Sequence, residues 1–174
     1  MIELVVRSII PAALSMLPPA MDSSNARAML VATGLQESKF LERRQIVKGG
    51  KKGPAAGLWQ FEQGGAVRGV LEHKRTREHA LAILRELRYH KAGRVITSSA
   101  IVHAKIEDND VLACVFARLL LWTLPGRLPT RNERDLGWAQ YLNAWRPGRP
   151  HPDTWGAYFD EAWQRVDQEE EREP

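Results

Sequence analysis

Cysteine is almost missing from this chain. Cys114 stands alone among 174 residues, which excludes an internal disulfide framework and a cysteine-based metal site. It lies in an apolar run, so it is expected to be a small core residue and not a reactive thiol. The five histidines form no ligand set: His73 and His79 are six apart, and His90, His103 and His151 are scattered. Without a His-x-x-x-His or acid-linked pattern, no metal is expected and the histidines read as surface groups. No apolar run reaches the ~18 residues that a membrane span needs. There is no Gly-x-Ser-x-Gly nucleophile turn, and "KGGKKGP" lacks the spacing and following Ser or Thr of a phosphate loop. Strand signals are weak as well, with at most a small β element in the 42–62 region.

A secretory leader is not expected either. "MIELVVRSIIPAALSMLPPA" carries Glu3 near its start and Arg7 inside its apolar stretch, and no small-x-small pattern precedes Ala20. Ile2, Val5, Val6, Ile9, Ile10, Ala13, Leu14 and Leu17 instead recur at helical spacing.

What is present is helical punctuation. The first helix should stop near Pro18-Pro19. Asp22-Ser23-Ser24 should cap a second that runs to about Ser38. Residues 41–56 form a basic, glycine-bearing loop, and 64–73 allow a short helix. Thr76 is placed to cap the next, with Ala80, Leu81, Leu84 and Leu87 on its buried side. A brief helix over 98–105 precedes a strongly apolar one, capped by Asp108 or Asn109 and stopped by Pro125-Gly126. Thr130 to Glu133 has the form of a capping box for a helix ending near Trp145. A last helix begins near Asp153. The expected fold is all-α with a minor β element, in one domain over 1–166, followed by an acidic tail over 167–174 that frays into solvent. Net charge is +4, yet residues 1–166 carry 24 bases against 16 acids. A basic body suits a polyanion such as nucleic acid, an anionic wall polymer or a membrane surface.

The second helix raises a chemical question. Its apolar stripe, Ala26, Met29, Leu30 and Thr33, next meets Glu37. The spacing turns a carboxyl group toward the interior, where burial disfavours its charge and raises its pKa. The negative end of the helix dipole acts in the same direction. A carboxyl that keeps its proton near neutral pH can serve as a general acid. Gly34, one turn earlier, leaves space beside it.

Glu37, Ser38 and Phe40 are followed at an interval by Gly57, Leu58 and Gln60, with the small Ala55 two residues before Gly57. This ordered pair of motifs, over about 24–62, resembles the lytic transglycosylase and goose-type lysozyme family, which cleaves peptidoglycan. The 20 residues from Glu37 to Gly57 are more than the family loop usually has, and they are basic: Arg43, Arg44, Lys48, Lys51 and Lys52. The family's later Tyr-Asn element is out of register by one residue in Tyr141 and Asn143.

The resemblance implies a lysozyme-like fold and a single catalytic acid, Glu37, without metal or organic cofactor. It implies that Ser38 holds Glu37 or the substrate's acetamido group, that Gln60 bonds a sugar, and that Tyr141 bonds Glu37. Trp59, inside the motif, becomes a candidate for substrate contact. Trp138, Tyr141 and Trp145 share one helix face and could line a glycan groove or simply pack in the core. The implied partners are peptidoglycan glycan strands and other phage virion proteins. The implied setting is a virion, or the host cytoplasm before assembly, with action on the periplasmic wall. A phage structural protein that keeps the fold without activity is the main alternative. Nucleic-acid binding through the basic loop is disfavoured, since that loop has no interleaved aromatics.

Overall fold

The computed structural model describes residues 1–172. The chain enters the fold as a helix that runs through a proline. α1 (Ile2–Leu4) passes into a π-wound stretch, Val5–Ile9, and then into α2 (Ile10–Ser15). Pro11 has no N–H to donate and its ring crowds the turn before it. The widened turn, in which the Ile10 N–H reaches the Val5 carbonyl, carries the helix past it. Ser23 caps α3 (Ser24–Ser38), its hydroxyl accepting from the Ala26 N–H at 3.2 Å.

The small β element expected within 42–62 is present, and it takes up most of the basic stretch 41–56 that reads as a loop. β1 (Arg44–Val47), β2 (Lys51–Ala56) and β3 (Phe61–Glu62) form an antiparallel sheet in that order. Lys51 pairs with Val47 across a turn whose Gly49 and Gly50 both take positive φ. The strands show little apolar alternation because charge, not burial, fastens them. Arg43 clasps Asp110 through two bonds of 2.8 and 2.6 Å, and Glu107 receives Arg44 at 2.8 Å and Lys52 at 3.1 Å.

A π-wound turn, Gln63–Val67, leads into α4 (Arg68–Glu72), α5 (Arg77–Glu86) and a second small hairpin, β4 (His90–Lys91) with β5 (Arg94–Val95). Then come α6 (Ser99–Asp108), α7 (Asp110–Thr123), α8 (Arg134–Trp145) and α9 (Pro152–Glu170). The molecule is thus mainly helical with a few short antiparallel strands, and no described helix is long and apolar enough to cross a membrane.

Several local expectations change. Thr76 does not cap α5; its buried hydroxyl donates to the Val70 carbonyl at 2.7 Å, and Ile83 takes the core position expected of Leu81. Asn109 is the cap of α7, accepting from Leu112 at 2.9 Å. Only half of the capping box forms. Glu133 accepts from the Thr130 N–H, but the Thr130 hydroxyl also donates to Glu133, and α8 starts one residue after the box. The acidic tail does not fray at 167. α9 continues through Glu170, with Asp167 on Arg131, Glu169 on Arg7 and Glu170 accepting from Ser24.

α3 and α7 are the axis of the core. Every residue from Ala28 to Leu35 and from Leu112 to Leu121 is buried. The single stripe read along α3 is therefore incomplete: the π-wound stretch Val5–Ile9, α7 and α9 pack around the helix, so it has no solvent face between Ala28 and Leu35. Cys114 is buried in α7, where desolvation pushes its thiol up and leaves it inert.

The space at Gly34 is not left for a substrate. A Cβ there would lie 2.1 Å from the Phe40 ring, which fills it. Gly34→Ala should lower the unfolding free energy by about 1–3 kcal/mol through overpacking. A urea melt with the parent's midpoint would show that the ring yields freely.

Candidate active site

The end of α3 is tied to two tight turns. Lys39 and Phe40 both adopt left-handed backbone conformations, at φ 52° and 57°. Such geometry is strained for a bulky residue and persists only where the surroundings fix it. Here the Phe40 N–H donates to Ser38 Oγ at 3.0 Å and the ring lies edge-on to Trp59, centroids 5.6 Å apart. Ser38 Oγ donates in turn to the Leu58 carbonyl at 2.6 Å. One hydroxyl thus joins the helix end to the turn over Gly57–Gln60. That turn closes through the Gln60 N–H to the Gly57 carbonyl at 2.9 Å. Gly57 sits at φ 74°, and a Cβ there would come within 2.7 Å of Ile106 Cγ2. Only glycine fits both conditions.

Beside this junction lies a cleft of about 840 Å³. Glu37, Gln60 and Glu62 line it, with Asn143 and Trp145 from α8 and the segment 146–149 that follows. Ala55 of β2, opposite Glu62 in the sheet, is also on its wall.

Glu37 is half-buried at this site. Burial, reinforced by the negative charge of Glu62 and opposed by a hydrogen bond from Tyr141, pushes its pKa up from 4.5 to about 7. Tyr141 donates its hydroxyl to Glu37 Oε1 at 2.6 Å. Burial and the neighbouring carboxylate raise the tyrosine's own pKa, so it remains a donor. Tyr141 is held between Trp155 and Trp145, with centroids at 5.3 and 6.2 Å and interplanar angles of 18° and 26°. Tyr141 thus brings a phenol to the acid, and Asn143, two residues on, lines the cleft.

Other candidates change role. Trp59 does not face the cleft; it is fully buried, and its indole N–H donates to the Leu30 carbonyl at 2.8 Å. Its large apolar ring anchors the turn to α3, and Trp145 Nε1 donates to its carbonyl at 2.9 Å. Ser38 braces backbone and touches neither Glu37 nor the cleft. Gln60 does line the cleft, although its side-chain nitrogen bonds the Glu42 and Gly57 carbonyls. Its carbonyl oxygen remains open to a ligand. Of the face shared by Trp138, Tyr141 and Trp145, the first two pack in the aromatic cluster with Trp155, and Trp145 alone reaches the cleft. His103 is buried, bonded to the Phe61 carbonyl at 2.8 Å, and His73 lines the far part of the cleft; neither is a plain surface histidine.

Glu42 and Glu62 are the acids nearest in sequence that could serve beside Glu37, and no spacing sets either of them facing it; the structure brings Glu62 to the cleft. Strand alternation held the clue: Phe61 is buried, so its neighbour must point the other way. Among the described residues no cluster of three or more His, Cys, Asp or Glu side chains is gathered for a metal.

Two outcomes follow for Glu37. Removing the Tyr141 donor, as Tyr141→Phe, should move its midpoint above 7, read by carbon NMR of the carboxyl. Its folded value exceeds its unfolded one, so its contribution to stability declines as pH rises from about 4.5 to about 7. Glu37→Gln should flatten that slope and be more stable than the parent at pH 8 by about 1–3 kcal/mol. An identical pH–stability slope in both proteins would refute the raised value. No family model matches this chain, and neither a curated protein nor a solved structure matches it.

Proposed function

We propose that this protein is a lysozyme-like lytic transglycosylase that cleaves peptidoglycan between N-acetylmuramic acid and N-acetylglucosamine. The observation that carries this reading is a protonatable carboxyl, Glu37, held by Tyr141 on the wall of a cleft of about 840 Å³. A helical body with a small sheet beside the acid supports the lysozyme-like assignment, as does the ordered pair of motifs around Glu37 and Gly57.

The reaction needs one proton at two moments. Glu37 gives its proton to the glycosidic oxygen as the bond from muramoyl C1 breaks, and the N-acetylglucosamine hydroxyl leaves neutral. The acetamido oxygen of the muramoyl unit covers C1 and stabilises the cation. The muramoyl 6-hydroxyl then attacks C1, and the Glu37 carboxylate takes its proton. A 1,6-anhydro ring forms and the acid is regenerated. A pKa near 7 suits a group that must act first as acid and then as base. The Tyr141 bond steadies the carboxylate between the two steps. Gln60 and Trp145 offer a hydrogen-bond acceptor and an aromatic edge to the sugars.

Glu62 favours one variant reading, hydrolysis, because two carboxyl groups flanking a bond can also activate water. The products separate the two. Incubation with sacculi should release 1,6-anhydro muropeptides, and Glu37→Gln should abolish release. Activity should decline above about pH 7 as Glu37 loses its proton. Glu62→Gln removes a like charge, so the alkaline limb should move to lower pH with the anhydro product retained. Reducing ends in place of anhydro ends, together with a loss of about 10²-fold or more in Glu62→Gln, would make the protein a hydrolase. No release from sacculi at any pH would overturn the enzymatic reading in favour of a structural protein of the virion.

A further inference from the structure

The cleft holds charge of both signs. Glu37, Glu62, Arg146 and Arg149 all line it. Several arginines elsewhere in the chain sit on carboxylates, among them Arg43 on Asp110, Arg44 on Glu107 and Arg134 on Asp160. Among the described residues, Arg146 and Arg149 form no ion pair with any acid, including the two that share their cleft.

Their backbone is also fixed. Arg146 ends α8 in a left-handed conformation at φ 49°, its N–H on the Leu142 carbonyl and its Nε on the Asn143 carbonyl at 3.2 Å. That leaves the two terminal guanidinium nitrogens open. Pro147 and Pro150 bracket the segment and restrict φ on either side of Arg149. Two open guanidinium forks on a proline-stiffened rim are suited to planar oxyanions, which they engage through paired N–H donors.

We propose that Arg146 and Arg149 bind the carboxylates of the peptide stems on the glycan strand, so that this cleft selects stem-bearing strands over bare ones. The inference rests on the peptidoglycan reading above. The sugars of the strand are uncharged, and each muramoyl unit carries its peptide on the lactyl group. A strand laid along Glu37 would therefore bring stem carboxylates to the cleft rim. Neither guanidinium is engaged in an ion pair with Glu37 or Glu62, which leaves its charge available to a ligand.

The test uses Glu37→Gln protein, which binds without turnover, and soluble uncrosslinked glycan strands free of phosphate polymers. One batch keeps its stems; the other is stripped of them by an amidase, and the lactyl carboxylates this frees are capped as methyl amides so that the bare strand is uncharged. Calorimetry should show stem-bearing strands binding about tenfold tighter than stripped ones, the worth of a charge-assisted contact at an exposed site. Adding Arg146→Ala and Arg149→Ala to that protein should bring the two affinities together, and Lys at both positions should restore only part of the difference. Equal binding of both strands by the Glu37→Gln protein overturns the inference, as does a preference that survives loss of both arginines. The parent's turnover of the stripped strand is read separately. Anhydro product from bare glycan with no stem preference would sink only the inference, and no product from either strand would sink the enzymatic reading.

Discussion

A carboxyl group denied most of its water is the constraint around which this structure is arranged. Desolvation alone would drive Glu37 fully neutral or force its side chain outward as α3 ends. One donor, Tyr141, offsets part of that penalty and holds the carboxyl in place. Its position requires α8 to lie against α3, and the stack of Tyr141 on Trp155 requires α9 to lie against α8. Gln36, the residue before the acid, bonds the His151 carbonyl and Thr154 at the start of α9. The same few contacts that place one proton also join three helices.

The second support is backbone strain held by packing. Lys39, Phe40 and Gln60 occupy left-handed conformations next to the acid, each unfavourable for its residue type. Phe40 over Gly34 and against Trp59, with Ser38 bridging to Leu58, leaves the chain no relaxed alternative. A motif containing Ser, Phe, Gly and Trp thus surrounds a single half-buried carboxyl. Most of its residues act on the backbone, and their effect is to fix the end of the helix that carries Glu37.

Sequence periodicity located the helices well, because α3, α7 and α9 carry apolar residues at a spacing that no other structure buries. It also turned Glu37 inward, whereas Gln60 and Tyr141 were named only through the family resemblance. It failed where distant groups decide. Trp59 looked like a sugar platform, yet its indole N–H answers a carbonyl 29 residues earlier. The hairpin over 44–56 has no alternation to betray it, since Asp110 and Glu107, far along the chain, hold it down. Thr76 and Thr130 have the right type for caps, but in each a nearer acceptor takes the hydroxyl. A motif states which groups are available, and the tertiary partner then decides which bond forms.

Charge follows the same logic and narrows the meaning of a basic chain. Arg43, Arg44 and Lys52, which made the loop look like a polyanion-binding tract, are engaged with acids on α6 and α7 and serve to fasten the hairpin. Buried Arg118 is likewise structural: it donates to the Met21 carbonyl at 2.6 Å and lies 4.9 Å from the Trp122 ring centroid, and burial lowers its pKa to about 10. Charge that the fold has already paired contributes little to outside recognition, because a partner would first have to break the internal contact. Arg146 and Arg149, which line the cleft without a carboxylate partner, lie in the segment that directly follows α8, the helix that carries Tyr141. One helix thus both donates to the acid and leads into the cationic segment.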